Sequence, residues 1–138
     1  MDDGKLNRIC IINKDRGPLA ISFNVTEKLV AGAEFKLYSS PNSKEFISWK
    51  MASKDGNRVI YPIRKSLEEI NRCVLTWQVL LCSLDASVFE GRVIVKILQE
   101  GSPCKINIPA ERSFDNIPPC QINRNDKFTE SMMFVVKT

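Results

Sequence analysis

The sequence contains no histidine. Histidine is the commonest general base and the commonest metal ligand in proteins. Its absence excludes Ser-His-Asp and Cys-His nucleophile systems, together with zinc sites built on imidazole. Glycine-rich phosphate loops are also missing, because the six glycines are isolated and neither GxxxxGK nor GxGxxG occurs. These absences predict a protein that is not an enzyme and that carries no cofactor.

Carboxylates give no sign of catalysis or of metal binding. Asp2-Asp3 lies at the terminus, and Glu68-Glu69 lies where a helix is predicted to begin. Calcium would need several oxygen ligands that converge on one point. The loop aspartates each stand alone, without a DxD spacing, and are Asp55, Asp85, Asp115 and Asp126. We expect these residues to form turns, and we predict no metal site.

The chain has five cysteines, an odd number, and no CxxC pair. Cys10, Cys73 and Cys82 lie in apolar runs, where a thiol behaves as a small hydrophobic group. The first residues are polar and contain no signal-peptide core. No stretch approaches the roughly 18 apolar residues of a membrane span. The sequence therefore predicts a reduced, cytoplasmic protein with no membrane partner, and a longer parent chain stays open as an alternative.

Positive charge is spread thinly along the chain, which has 20 Lys and Arg against 16 Asp and Glu. The densest group is Arg58, Arg64 and Lys65, with Arg72 a little further on. Glu68 follows this group at once, as in an ordinary solvated surface. These four basic residues are the candidates for a nucleic-acid contact. No groove-reading helix is predicted, so such binding would be weak and nonspecific.

Alternation of apolar and polar residues is the most informative pattern in the sequence, and it predicts β-strands. The predicted strands are 6–12, 19–25, 35–37, 47–51, 59–62, 74–84, 92–97, 104–108 and 128–136. A hairpin is expected across the loop at 39–43. The strand at 74–84 is predicted to lie in the centre of a sheet and to be buried on both faces. Extended or loop structure is expected at 113–122, because Pro118 and Pro119 cannot donate to a ladder.

One short helix is predicted near 66–73. Ser66 and Glu69 fit a capping box, in which each side chain bonds the other residue's main-chain N–H. The helix would carry the chain from one sheet to the other. Together the elements predict one all-β domain over 1–138, an antiparallel two-sheet β-sandwich of about eight strands with Greek-key-like connections. A barrel stays open as the alternative.

Aromatic residues give the candidate partner contacts. Phe35 and Trp49 fall on the apolar phase of their strands, so we expect them in the core. Phe46, Phe89 and Phe114 lie beside loops and are candidates for surface contacts. Phe114, which Arg112 and Asp115 flank, is the foremost of these candidates.

The second half of the chain resembles a known family. The residues that carry the resemblance are the helix Leu67-Glu68-Glu69-Ile70-Asn71-Arg72-Cys73, the strand 74–84 with Gln78 inside it, and the tail 125–136. Over 33–138 these elements resemble the β-sandwich domain that accompanies the Smr domain in MutS-related, Smr-containing proteins of Bacteroidota. The resemblance implies a C2-type sandwich that serves as an accessory module beside a nucleic-acid-processing domain. It implies no catalytic residues, and a DNA mismatch repair function would belong to the neighbouring domain.

The patterns taken together favour a non-enzymatic protein-interaction module. An edge strand or the surface near Phe114 would recruit a partner, which is another protein or a second copy of the chain. A nonspecific nucleic-acid-binding module is the alternative. An enzyme that uses carboxylate or lysine chemistry, or a small-ligand pocket between the sheets, is the third hypothesis.

Overall fold

The computed structural model describes residues 9–106, 111–117, 120 and 127–137. Within these residues the chain forms eleven strands and one helix. In chain order these elements are β1 (Ile9–Asn13), β2 (Leu19–Val25), β3 (Leu29–Tyr38), β4 (Phe46–Lys54), β5 (Val59–Ile63), α1 (Leu67–Ile70), β6 (Val74–Ser83), β7 (Gly91–Gln99), β8 (Ser102–Pro103), β9 (Lys105–Ile106), β10 (Glu111–Phe114) and β11 (Lys127–Lys137).

The strands form two sheets. Sheet A has the order β4-β3-β6-β11-β1-β9, and sheet B has the order β10-β7-β2-β5, with β8 added beside β7. All paired strands are antiparallel except β1 and β11, which run parallel. The prediction of an all-β, two-sheet sandwich is confirmed. The structure adds the two-residue strand β8, and β9, also of two residues, lies within the strand predicted at 104–108.

The core lies between the sheets, where the alternating apolar residues meet. From sheet B, Phe23 is fully buried, and its ring meets the ring of Phe35 edge-on at 6.0 Å. In sheet A, Phe35 also stacks on Trp77 at 6.1 Å. Every second residue of β2 and of β7 points inward and is buried, as the alternation predicts. Aromatic rings from both sheets therefore hold the sandwich together.

Strand β6 is central, as predicted, because it pairs with β3 on one side and with β11 on the other. It is not buried on both faces. Its inward residues are buried, whereas Gln78 and Leu80 on the outer face are exposed. The apolar run in the sequence suggested a second covering layer, but no described element covers these two residues. One face of sheet A is thereby left open around them.

The helix connects the two sheets, as predicted. It begins at Ser66, whose hydroxyl accepts the Glu69 N–H at 3.2 Å, while Glu69 Oε1 accepts the Ser66 N–H at 3.1 Å. It lasts for a single turn. Arg72 follows with a positive φ of 70°, and its N–H donates to Phe134 O at 2.8 Å. This bond directs the chain into sheet A beside β11.

The predicted turn after β4 is present at Asp55-Gly56. Both residues have positive φ, 55° and 82°, and the Asn57 N–H closes the turn on Lys54 O at 3.1 Å. Two positive φ angles are characteristic of a type I′ turn, which favours glycine at its second central position. The turn carries the chain from sheet A to sheet B.

One pair of cysteines differs from the expectation of free thiols. Cys82 of β6 and Cys120 form a disulfide, with their Cα atoms 4.9 Å apart. Cys10, Cys73 and Cys104 remain thiols. The two bonded residues are 38 positions apart, and nothing in their local sequence marks them as partners. Only the fold brings the end of β6 and the segment before β11 together.

Some predictions fall on residues outside the described ranges. They are residues 6–8 of the strand predicted at 6–12, residues 107–108 of the strand predicted at 104–108, and residues 118–119 and 121–122 of the extended piece predicted at 113–122. Residues 125–126 of the tail, which include Asp126, also lie outside these ranges. Among the residues that the structure does describe, no helix has the length and apolar character needed to cross a membrane.

Candidate docking edge and groove

Strand β4 is the longest edge strand among the described residues. It contains nine residues and pairs with β3 on one side only. The nearby edge of sheet B is β5, which has five residues and includes Pro62. Proline lacks an N–H, so it protects an edge from pairing with another chain. No proline interrupts β4. This edge is therefore the one best suited to accept a further strand.

Two hydrogen bonds fix which main-chain groups of β4 point away from β3. The Ser39 N–H donates to Glu45 O at 3.3 Å, and the Asp55 N–H donates to Leu29 O at 2.8 Å. Both pairs continue the β3–β4 register, in which bonded and non-bonded pairs alternate. The odd-numbered residues of β4 therefore bond to β3. The even-numbered residues turn their N–H and C=O groups outward.

The outward groups form a regular row. They belong to Phe46, Ser48, Lys50, Ala52 and Lys54. Within the described part of the chain, one of these groups has another main-chain partner, the Lys54 carbonyl that closes the turn after β4. The edge therefore presents donors and acceptors at every second residue. This is the pattern that a partner strand requires.

A groove of about 690 Å³ lies beside β4 on the outer face of sheet A. Its lining includes Glu34, Lys36, Tyr38, Lys44, Phe46 and Gln78. The rings of Tyr38 and Phe46 lie 5.1 Å apart and form one wall. Lys36 Nζ sits 5.0 Å from the centre of the Phe46 ring, within cation–π range. The groove thus combines an aromatic wall with positive charge.

The floor of the groove is a row of polar residues that the register aligns across four strands. Lys50 lies opposite Glu34, Glu34 opposite Gln78, and Gln78 opposite Thr129. Lys36 Nζ is 3.9 Å from Glu34 Oε1, which leaves Glu34 engaged with a neighbouring lysine. Polar side chains on a sheet face that no described element covers suit contact with a polar partner.

The inner face of β4 is anchored in the core, so the edge is held in place. The Trp49 ring stacks on Phe35 at 5.7 Å, with the planes 4° apart. Ser53 is buried, its hydroxyl accepts the Val25 N–H at 3.3 Å, and it donates to Asn57 O. These contacts join β4 to β2 of the other sheet. A ligand would therefore meet an edge that is already ordered.

Comparison of the chain with protein-family models, with curated proteins and with solved structures found no match.

The residues proposed for a partner contact lie at the opposite edge of sheet B. Arg112 and Phe114 belong to β10, where Arg112 pairs with Val93 and Phe114 pairs with Gly91. Phe114 is half-buried and packs against the core. It also lines a cavity of about 1040 Å³ together with Asp115. Phe46 and Phe89, at 46% and 55% exposure, are the aromatic residues with the larger accessible surfaces.

The residues proposed for nucleic-acid contact do not form one group. Arg58 lies in the turn after β4, and Arg64 and Lys65 lie beyond the other end of β5. The five residues of β5 separate them by about 20 Å along the strand. Arg72 follows α1. The structure therefore brings Arg64, Lys65 and Arg72 to the two ends of one helical turn and leaves Arg58 apart.

Two of the loop aspartates accept hydrogen bonds from main-chain N–H groups. Asp55 Oδ1 accepts the Lys28 N–H at 2.9 Å, and Asp85 Oδ1 accepts the Ser87 N–H at 2.9 Å. The bonds from Ser87 hold the pKa of Asp85 below its usual range. No group of three or more potential metal ligands occurs among the described residues.

The sequence predicted Phe46 as a possible surface contact. It did not predict that Phe46 lies on an edge strand or that Lys44, Lys50 and Lys54 lie near it. Lys44, Lys50 and Lys54 look like ordinary surface residues in the sequence. A sequence signal does exist, because Lys50 and Lys54 share the polar phase of one strand that lacks proline. The sequence does not say that this strand lies at the edge of its sheet.

Proposed function

We propose that the chain is a non-enzymatic protein-interaction module that binds an extended, acidic segment of another protein. The segment would add as a further strand to β4 and would cover part of the neighbouring groove. The observation that carries this proposal is the row of outward N–H and C=O groups at the even-numbered residues of β4. Main-chain bonds of this kind supply affinity, and the side chains beside them supply specificity.

The charge of the edge favours an acidic partner. Lys44, Lys50 and Lys54 are exposed, and none of them has an ion-pair partner among the described residues. Lys50 and Lys54 lie on the same face of β4, so carboxylates at alternate positions of an added strand would lie across from them. Phe46, on that same face, would pack against an apolar residue of the segment.

A second copy of the chain fits this edge less well. The antiparallel register that pairs all nine residues of β4 with their equivalents places Lys50 opposite Lys50 of the second copy. Like charges directly opposite each other destabilise a strand pair. Lysines on edge strands also discourage edge-to-edge association in general. The preferred partner is therefore a different chain.

Replacement of Ser48 by proline tests the main-chain contacts. The probe is a fluorescein-labelled eight-residue peptide of alternating Glu and Val, and fluorescence anisotropy reports its binding. Ser48→Pro removes an outward N–H that β3 does not use, so the fold should tolerate the change. We expect an affinity loss of about tenfold or more, equivalent to ~1.4 kcal/mol. Ser48→Ala keeps the N–H and should bind as the wild type does.

Charge reversal tests the acidic preference. The double variant Lys50→Glu/Lys54→Glu should weaken binding of the Glu-Val peptide and remove most of its salt dependence. Lys96→Glu is the matched control, because Lys96 is exposed on the outer face of β7, in the other sheet. A peptide of alternating Lys and Val should bind the wild type more weakly than the Glu-Val peptide does.

Two outcomes would overturn the proposal. Equal binding by Ser48→Pro and Ser48→Ala, with both variants folded by circular dichroism, would show that β4 accepts no strand. A concentration-dependent dimer that Ser48→Pro abolishes, in a protein that does not bind the peptide, would assign the edge to a second copy of the chain.

Nonspecific nucleic-acid binding is the alternative function, and one observation favours it. Arg64, Lys65 and Arg72 lie at the two ends of α1. Binding through them should fall steeply between about 50 and 200 mM salt, because phosphate contacts release counterions. Anisotropy titrations with single- and double-stranded oligonucleotides measure this. Flat curves at both salt concentrations would remove the alternative.

Two further predictions from the sequence belong to this proposal. The resemblance to Smr-associated sandwiches would place the partner among nucleic-acid-processing proteins. The reducing cytoplasm is the compartment predicted from the sequence, but the Cys82–Cys120 disulfide favours an oxidising one. Purification of the protein from its natural source with thiols blocked would report whether Cys82 and Cys120 are bonded to each other there.

A further inference from the structure

A glycine, Gly32, lies inside the ten-residue strand β3. Its φ is not positive, unlike those of Gly56 and Gly101, so the backbone at this position does not require a glycine. Glycine inside a strand weakens the strand, because it has no side chain to pack. It often marks a bulge or a place where a ligand approaches the sheet closely.

Neither a bulge nor crowding by a neighbour accounts for Gly32. The register of β3 runs without a break, with Gly32 opposite Ala52 of β4 and opposite Leu80 of β6. A methyl group at Gly32 would meet no described residue within 4 Å, apart from the neighbours of Gly32 in the chain. The close approach of a ligand is then the physical reason for a glycine here.

Gly32, Ala52 and Leu80 form a shallow apolar depression on the outer face of sheet A. All three residues are exposed, Leu80 at 43%. The depression opens at the docking edge, because Ala52 belongs to β4 and turns its main-chain groups outward. An aromatic side chain on a nearby strand can stabilise a glycine of a sheet by covering it. The cross-strand neighbours of Gly32 supply no such ring.

Two lysines flank the depression where it meets the edge. Lys50 and Lys54 lie two positions to either side of Ala52, and all three side chains share one face of β4. Diagonal neighbours of this kind on an added strand are within reach of aromatic side chains. Ammonium groups attract the face of an aromatic ring and repel another cation. The lysines therefore favour an aromatic side chain over arginine or lysine at this point.

We propose that the segment docked on β4 places a tryptophan opposite Ala52, with its ring across Ala52 and Gly32, and an acidic residue two positions to either side. The inference rests on the proposed function. Neighbouring strands lie about 4.8 Å apart, so a side chain opposite Ala52 must cross a whole strand to reach Gly32. Tryptophan has the length and the apolar surface for this. The two acidic residues face Lys50 and Lys54.

Two fluorescein-labelled peptides test the inference by fluorescence anisotropy. The first is Thr-Val-Glu-Val-Trp-Val-Glu-Val-Thr, and the second has alanine in place of the tryptophan. Each sequence reads the same in both directions, so the test does not depend on whether the added strand is parallel or antiparallel. We expect the wild type to bind the tryptophan peptide about tenfold more tightly than the alanine peptide.

Gly32→Val fills the depression. Valine favours strands, so the variant should fold at least as stably as the wild type. It should bind the tryptophan peptide about tenfold more weakly than the wild type does, and the alanine peptide equally well. Gly32→Ala adds a single methyl group and should lose less affinity. Ser113→Val is the matched control, because it places valine at an exposed position of β10, in the other sheet.

The outcomes separate this inference from the proposed function. Equal binding of the two peptides by the wild type would overturn the inference and leave the docking edge in place. A Gly32→Val variant that is folded by circular dichroism and keeps the wild-type preference for tryptophan would do the same. If the wild type binds neither peptide, the proposed function and the inference are both wrong.

Discussion

Trp49 and Tyr61 stack face to face, with ring centres 4.3 Å apart and planes that differ by 7°. Trp49 belongs to β4 and Tyr61 to β5, so the contact joins the edge strands of the two sheets. On its other face Trp49 stacks on Phe35 of the core. Stacking among the rings of Phe35, Trp49 and Tyr61 therefore holds the proposed docking edge against the core.

The first prediction concerns the stacking of Trp49 on Tyr61. Trp49→Ala should lower the free energy of unfolding by about 2–4 kcal/mol, because a large, half-buried ring is lost. A double-mutant cycle with Tyr61→Ala should give a coupling energy of about 0.5–1.5 kcal/mol. Urea denaturation of the four proteins measures both quantities. Strictly additive losses would mean that the two rings do not stabilise each other.

The sequence was informative about elements whose pattern is local. Strands β2 and β7 alternate, and the residues predicted to face the core are buried in both, whereas the other face of β7 also contains the half-buried Ile94 and the buried Leu98. The Ser66 capping box could also be predicted, because both of its partners lie within four residues. Short-range hydrogen bonding and side-chain periodicity decide these features. No knowledge of the tertiary structure is needed to find them.

The sequence was less informative about features that depend on which strands are neighbours. The lining of the groove beside β4 includes Lys36 of β3, Phe46 of β4 and Gln78 of β6, and only the pairing of these three strands brings the residues together. The Cys82–Cys120 bond likewise joins two distant segments. Strand 74–84 has the apolar content of a fully covered strand, although the structure leaves Gln78 exposed. Such relationships follow from strand order, which composition and periodicity do not determine.

The second prediction concerns the disulfide. The double variant Cys82→Ala/Cys120→Ala should lose about 3–4 kcal/mol of stability, the chain-entropy value for a loop of 38 residues. Thermal denaturation in the presence and absence of dithiothreitol measures the effect. The reductant should destabilise the wild type more than the double variant. An intact-mass measurement that finds five alkylated cysteines in the untreated, unfolded wild type would contradict the disulfide.

The third prediction concerns Gln99, which is buried and fully hydrogen-bonded. Its Nε2 donates to Asn13 O at 2.7 Å and to Gly17 O at 3.2 Å, and its Oε1 accepts the Asn13 N–H at 3.0 Å. One side chain thus fastens the β1–β2 turn to the end of β7. Gln99→Leu keeps the size of the side chain but leaves these main-chain groups unpaired.

We expect Gln99→Leu to cost about 1–3 kcal/mol, since three part-buried hydrogen bonds worth about 1 kcal/mol each are lost. Gln78→Leu is the matched control, because Gln78 is exposed on β6 and should change stability by less than about 0.5 kcal/mol. Chemical denaturation compares the two variants. Similar stabilities for both would show that the turn does not depend on Gln99.

The fourth prediction concerns pH and the Ser66 capping box. The hydrogen bonds from Ser66 hold the pKa of Glu69 below its ordinary value of 4.5. Ionised Glu69 therefore stabilises the fold above that ordinary value, and the contribution is lost as the pH falls through the lower, folded-state pKa. Ser66→Ala removes the hydroxyl but keeps the main-chain N–H of residue 66, so the pKa of Glu69 should rise only part of the way toward the ordinary value. An NMR titration of the Glu69 side chain measures this change directly.

The same variant should alter how stability depends on pH. At neutral pH the wild type should exceed Ser66→Ala in stability, as expected for the loss of an N-cap. The difference should shrink as the pH falls through the lowered pKa of Glu69, because the protonated carboxyl no longer gains from the hydrogen bond of the Ser66 hydroxyl. Ser87→Ala is a useful comparison, because Ser87 lowers the pKa of Asp85 in the same way in a loop outside the helix. If the pKa of Glu69 were equal in the wild type and Ser66→Ala, the Ser66 hydroxyl would make no contribution to the shift, and the main-chain N–H of residue 66 would remain as its cause.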